Sequence, residues 1–312
     1  MFRDAAEVSD LLGWQELIDA IEKILTEDGA HAPERSVHTL PTPTGNDGAL
    51  LLKPGWVVGE VIVIKAVTFF PDNGDLELPT INAGVLVFSG ANGTFLGACD
   101  GNELTTRRTA AASAVAAKRL ARSDAKRLLV IGTGALSPMV AQAHCAVRDF
   151  EVVEVWGRDP DKARRVANHL VTHDIPAHQV DDLDESVGQA DVITAVTGAT
   201  APLIKGALLR PGTHVDLIGA FTHEMRESDD DVMTRATIFL DTRTGGSLSG
   251  DIAQPIEAGL ITMDDVVADL TELVGGAHKG RSSDEEITVF KSAGFALEDV
   301  AAARLVFPDL HS

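Results

Sequence analysis

Residues 127–138 read Arg127-Leu128-Leu129-Val130-Ile131-Gly132-Thr133-Gly134-Ala135-Leu136-Ser137-Pro138. The run from Leu128 to Ile131 is continuously apolar, as a strand buried on both faces requires. Gly132-x-Gly134-x-x-Ser137 follows, and Met139 to Val147 behind it is rich in helix formers. Strand, glycine turn and helix in that order form the setting of a dinucleotide-binding turn. Gly132 permits the tight turn. Gly134 lets the backbone approach a pyrophosphate, whose charge then meets the free N–H groups of the helix. Ser137 stands where a third glycine is usual, and it is small enough for close helix–strand packing. An ordinary strand–helix turn can carry the same glycines, so the surroundings decide.

Downstream the pattern alternates. Val152–Trp156, Ala177–Val180, Asp191–Thr197, Val215–Ile218 and Ile238–Leu240 read as strands, with helices over Lys162–Leu170 and Leu183–Ala190. Strands alternating with helices predict a parallel sheet covered on both faces, a doubly wound α/β (Rossmann) domain. Ligands of such a sheet bind at the carboxyl ends of its strands. Those ends are Gly132–Ser137, Gly157–Asp159, Thr197–Gly198 and Gly219–Thr222. The second strand ends Trp156-Gly157-Arg158-Asp159. An Arg there can receive a 2′-phosphate, which favours NADP(H); Asp159 can serve a ribose hydroxyl, which keeps NAD(H) as the alternative.

Upstream, Ser9 is expected to cap one helix carrying Leu12, Leu17, Ile18, Ile21, Ile24 and Leu25 and ending near Gly29. His31 to Gly48 reads as loop and irregular strand, with Arg35 expected to be solvated. Val61, Val63, Val67 and Phe69 share a strand face with Lys65. An ammonium buried among β-branched residues is costly unless compensated, whereas a strand-edge lysine snorkels. Both readings stand at this point. Asn92-Gly93 separates two apolar runs as a hairpin turn does. An alanine-rich helix over Leu104–Ala121 carries Arg107 and Arg108 in its expected first turn. Cations at a helix N-terminus oppose its dipole. That placement suits a bound anion, the alternative being surface pairing with Asp100 or Glu103.

The chain has 312 residues, enough for two domains, and 45% of them are hydrophobic. Its net charge of −21 argues against a nucleic-acid or anionic-membrane partner. Two cysteines provide no disulfide framework and point to a reducing, cytoplasmic setting. No signal peptide or membrane span is expected. Tyr is absent, which removes any Tyr general acid. His169 and His173, four apart, fit a solvated helix end better than a metal site, and no metal is expected.

Four further stretches give these residues a common setting. They are Asp100-Gly101-Asn102 through Arg108-Thr109-Ala110-Ala111; Gly132-Thr133-Gly134-Ala135; Gly219-Ala220 with Arg226-Glu227; and Thr288-Val289-Phe290-Lys291-Ser292 through Glu298-Asp299. With them the chain resembles the ornithine cyclodeaminase/mu-crystallin family over nearly its whole length. Gly134-Ala135-Leu136-Ser137-Pro138, Trp156-Gly157-Arg158-Asp159-Pro160 and Met225-Arg226-Glu227-Ser228-Asp229-Asp230 are most similar to its Δ1-pyrroline-2-carboxylate and Δ1-piperideine-2-carboxylate reductases. The resemblance implies NAD(P)H-dependent reduction of a cyclic imino acid to proline or pipecolate. It implies an α+β substrate and dimerisation domain built from residues 1–118 and 288–312, a nucleotide domain over 119–287, and a homodimer. It implies Lys65, Arg108 and Arg35 as active-site residues, with Arg108 on the substrate carboxylate. Thr80 and Phe221 are then pocket residues. Gly132, Thr133, Gly134, Ala135, Leu136, Arg158, Asp159, Thr197 and Gly219 are the expected cofactor contacts. True cyclodeaminases carry a catalytic Asp where this chain has Phe221, and a benzyl group can neither bind a substrate amine nor position water. A cyclodeaminase-type lyase with bound NAD, and a mu-crystallin-like binder of NADPH and small ligands, are the rival readings.

Overall fold

Leu128, Leu129, Val130 and Ile131 are all fully shielded from solvent, on the strand Arg127–Ile131. In the computed structural model, which describes residues 1–308, this strand lies inside an eight-stranded sheet. The strand order is Ala177–Gln179, Val152–Trp156, Arg127–Ile131, Val192–Ala195, His214–Leu217, Thr288–Lys291, Thr237–Leu240 and Val266–Asp269. Every pairing in it is parallel. Gly132 leaves the first strand with φ +128°, where a side chain would meet the Val196 carbonyl at 2.8 Å, so glycine is required for the turn. The helices Leu136–Val147, Pro160–Val171 and Leu183–Gln189 make the first crossovers.

The chain divides into two compact units, Met1–Arg108 with Phe295–Ser312, and Thr109–Gly294. Residues 309–312, the end of the expected 288–312 segment, lie outside the described residues. The divisions between these units lie at other residues than the expected domain boundaries. The first falls ten residues before 118, within the continuous helix Gly101–Leu120, where no linker marks it. The second falls after Gly294 rather than at 287, because Thr288–Lys291 is a buried strand of the nucleotide sheet, paired on both sides. An apolar strand held by two ladders belongs to the sheet that satisfies its backbone.

In the other unit a seven-stranded sheet runs Phe2–Arg3, Phe95–Asp100, Ile81–Ser89, Val61–Phe69, Gly48–Val57 and Ala30–His31, with Ser36–Leu40 also on Gly48–Val57. The helix Ala296–Val306 packs on Trp14–Ile24 and on the strands Gly48–Val57 and Val61–Phe69. The single N-terminal helix expected from Ser9 is two helices. Asp4 and Glu7 form a capping box that starts Ala5–Leu11, and Gly13 opens Trp14–Ile24. Ser9 therefore lies inside the first helix, and its hydroxyl accepts from Arg107. Leu17, Ile18, Ile21 and Ile24 are buried, each contributing about 1.5–3 kcal/mol of apolar burial. Gly93 turns the hairpin at φ +76°. No described helix is long and apolar enough to cross a membrane.

Candidate active site and nucleotide cavity

Strand alternation directs Lys65 inward with Val61 and Val63; it is 1% exposed. Its face loosens toward the far end, where Val67 is half-buried and Phe69 exposed. The Lys65 ammonium donates to Asp299 Oδ1 at 2.7 Å. Arg108 Nε lies 2.8 Å from the same oxygen, and Arg108 Nη1 donates to Glu298 Oε2. The helix Ala296–Val306 presents both carboxylates, fully buried, to these cations. Burial alone would raise the Asp299 carboxyl, but the charges of Lys65, Arg108 and Lys53 outweigh it and hold it down to about 2. Burial, and after it the Arg108 charge, push Lys65 well below its ordinary value, against the pull of Asp299. Lys53, buried on the next strand, is lowered chiefly by burial, with Arg108 and Arg35 adding to the effect and Asp299 opposing it. Arg35 is half-buried and acts electrostatically on Lys53, so it is not the solvated loop residue its spacing suggested. Thr80 is half-buried, and its carbonyl accepts from the Phe70 N–H at 2.8 Å.

The arginine pair separates. The helix begins at Gly101, so Arg107 and Arg108 lie beyond its first turn. Arg107 pairs with Glu103 at 2.6 Å, donates to the Leu12 carbonyl and stacks 5.2 Å from the Trp14 ring centre. Arg107 is thus tied to its own helix and to the N-terminal helices, whereas Arg108 enters the buried cluster with Glu298 and Asp299. Sequence reasoning assigned no role to Lys53, Glu298 or Asp299. Their signal was present: a lysine following the apolar run Leu50-Leu51-Leu52, and two carboxylates in the first turn of a helix whose only other charged residue is Arg304.

In the second unit, Gly132, Thr133, Gly134, Trp156, Gly157, Arg158, Asp159, Lys162 and residues 196–201 with Leu203 line a cavity of about 820 Å³. A Cβ on Gly134 or Gly198 would meet nothing within 4 Å, so the backbone there is open to a ligand. No side chain caps the helix Leu136–Val147 and its first turn has no acid, as an incoming anion requires. Ser137 is fully buried, in keeping with close packing. These features fit a dinucleotide. Asp159 Oδ1 caps the helix Pro160–Val171 through the N–H groups of Asp161 and Lys162, whereas Arg158 is exposed on the cavity wall. Lys162, a second cation there, was missed by the sequence reading. Ala135 and Leu136 follow the turn without lining the cavity, and neither does Gly219.

Gly219 has a packing reason instead: a Cβ would lie 2.1 Å from the Thr197 N and O atoms. Glu227 ties these two strand-end loops together. Its Oε1 accepts from Thr197 N and Oγ1 at 2.7 and 2.9 Å, and its Oε2 from Gly219 N and Ala220 N at 2.8 and 3.2 Å. Asp251 Oδ1 in turn accepts from the Glu227 and Ser228 N–H groups, and its other oxygen lies 3.4 Å from Lys291 Nζ. Phe221, 39% exposed, follows this clamp in a loop four residues beyond its strand. His169 and His173 stack 4.5 Å apart on an exposed helix end. Among the described residues no group of three or more His, Cys, Asp or Glu is placed to hold a metal.

The chain is 36% identical over 315 residues to the Δ1-pyrroline-2-carboxylate reductase of Paracoccus denitrificans, covering 98% of this chain and 95% of that one. The solved Thermococcus litoralis Δ1-pyrroline-2-carboxylate reductase, in complex with NADH and L-proline, superposes with a TM-score of 0.93 at 30% identity, covering 99% and 96%. An archaeal alanine dehydrogenase dimer with bound NAD gives 0.91 at 29% identity, covering 99% and 95%. The ornithine cyclodeaminase/mu-crystallin family model matches residues 1–312, and the chain belongs to that family.

Proposed function

We infer that this chain is a nicotinamide-dependent reductase of cyclic imino acids, converting Δ1-pyrroline-2-carboxylate or Δ1-piperideine-2-carboxylate to proline or pipecolate. The observation that carries this reading is the buried Lys65–Asp299–Arg108 cluster, combined with Phe221 where a lyase needs a carboxylate. Arg108 presents a planar fork to the substrate carboxylate, assisted by Arg35. Lys65 supplies the proton to the imine nitrogen, which makes the adjacent carbon electrophilic. Asp299 holds Lys65 and Arg108 at one point, so the acid and the anchor keep a fixed separation. Thr80 contributes to the substrate pocket, and the Phe221 benzyl group is the apolar side chain that keeps water from an imine that hydrolyses readily. A reduced nicotinamide held in the nucleotide cavity would supply the hydride for the imine carbon.

The unit over 109–294 is the nucleotide domain. Gly132, Thr133 and Gly134, which line the cavity, would hold the pyrophosphate of a dinucleotide, with Ala135 and Leu136 at the helix start behind them; Thr197 and, behind it, Gly219 would form the strand ends of that site. Asp159 is engaged as a helix cap, which leaves Arg158, with Lys162, to meet a 2′-phosphate; this favours NADP(H) over NAD(H). The other unit binds substrate and dimerises. Its sheet face opposite Lys65 carries Trp56, Ile62, Ile64, Leu86, Phe88 and Phe95, all half-buried or exposed, which suits a homodimer interface. Cys99 and Cys145 are free thiols, as in a reducing cytoplasm.

The test is absorbance of NADPH and NADH with Δ1-pyrroline-2-carboxylate, beside ammonia release from ornithine, for wild type, Phe221→Ala and Phe221→Asp. Net cofactor oxidation by the imine is expected, reduced in Phe221→Ala and further in Phe221→Asp. Ammonia release by wild type at a comparable rate, without net cofactor turnover, overturns the reductase reading.

A further inference from the structure

Lys53 sits directly opposite Lys65, in register on adjacent antiparallel strands and on the same buried face. Like charges placed opposite each other across a ladder repel, and an apolar side chain would fill the space without that cost. The charged groups around Lys65 come from every side. Lys53 faces it from Gly48–Val57, Arg108 from Gly101–Leu120, and Glu298 and Asp299 from Ala296–Val306; Arg35 acts on Lys53 from the loop before Ser36. Its partner on the remaining strand, Val85, is uncharged. Three cations, Lys53, Lys65 and Arg108, therefore share two carboxylates, and Arg35 adds its charge on the side of Lys53. Lys65 and Arg108 converge on Asp299, Arg108 also holds Glu298, and Lys53 adds its charge from across the ladder.

We propose that Lys53 is a positioning residue that acts through Lys65: the positive charge it holds across the ladder loosens the Lys65 proton for transfer to the imine nitrogen. This inference rests on Lys65 being the proton donor. One proton leaves Lys65 Nζ, forming the substrate iminium and leaving a neutral amine on Lys65. That amine regains a proton from water after the product departs. Without Lys53, the Asp299 carboxylate 2.7 Å away would hold the ammonium more firmly. Arg108 weakens that hold too, but it is committed to the carboxylates and, in the proposed reaction, to the substrate.

Two measurements separate the parts of this inference. ¹³C NMR of lysine Cε, with the Lys65 signal identified by its loss in Lys65→Met, reports the Lys65 titration midpoint directly. The pH profile of kcat/KM with Δ1-pyrroline-2-carboxylate reports the acid used in catalysis. Lys53→Met conserves volume and removes the charge; it is expected to move the midpoint and the alkaline limb upward by about one pH unit. Lys53→Arg keeps the charge and is expected to leave both in place. A Lys65 midpoint that stays fixed in Lys53→Met overturns the role of Lys53, whatever the kinetics do. A midpoint that moves while the alkaline limb does not supports the coupling of the two lysines and overturns Lys65 as the donor.

Discussion

Lys65 and Asp299, 234 positions apart in the chain, meet at 2.7 Å with both side chains shut off from water. Asp299→Ala leaves two buried cations short of their shared acceptor. A loss of stability of about 3–5 kcal/mol is expected, measured by urea unfolding at neutral pH. The pH dependence has a definite sign. The folded Asp299 carboxyl lies at about 2, below its ordinary 3.8, so its contribution is full above 3.8 and fades as pH falls toward 2. Wild type is expected to lose stability across that window more steeply than Asp299→Ala; parallel curves would remove Asp299 from the account.

Arg108→Lys keeps a positive charge but forfeits the fork that now reaches Glu298 through Nη1 and Asp299 through Nε. kcat/KM for the imino acid is expected to fall about 10- to 100-fold, the size of one charge-assisted hydrogen bond. Cofactor affinity, measured by fluorescence titration, is expected to be unchanged. Wild-type kinetics in this variant would make Arg108 a structural residue like Arg107.

Arg158 lies on the cavity wall beside Lys162, while Asp159 is bound into a helix cap. Arg158→Ala is expected to raise KM for NADPH about tenfold and to change KM for NADH little. Equal changes for the two cofactors would remove the preference for NADP(H).

Glu227 gathers four donors from two strand-end loops. Gln at this position turns one carboxylate oxygen into an NH₂ that faces N–H groups. Burial raises the Glu227 carboxyl, and Lys291 opposes that rise. Glu227→Gln is expected to weaken cofactor binding about tenfold, with the thermal transition lowered by only a few degrees. Intact binding would show that the loop after Thr197 holds its shape without the clamp.

The sequence by itself determined the nucleotide domain. An uninterrupted apolar strand, a glycine pair and a helix are local features, and six of the eight parallel strands were legible in their own composition, whereas Val266–Asp269 and Thr288–Lys291 were not. The Asn92-Gly93 turn was legible for the same reason. The chain's two crossings between units were not. One runs through a continuous helix, and the other depends on Thr288–Lys291 finding two partner strands far away in sequence. The charge cluster belongs to the same class. Periodicity shows that Lys65 faces inward, but its cost or use depends on what stands opposite, and only the tertiary structure brings Lys53, Arg108 and Asp299 there. The separation of Arg107 from Arg108 was likewise decided in three dimensions. Adjacent residues on a helix point about 100° apart, so one met a half-buried acid and an aromatic ring while the other entered a buried ion pair. Local pattern is set by neighbours within a few residues; the energy of a buried charge is set by partners that the chain supplies from elsewhere.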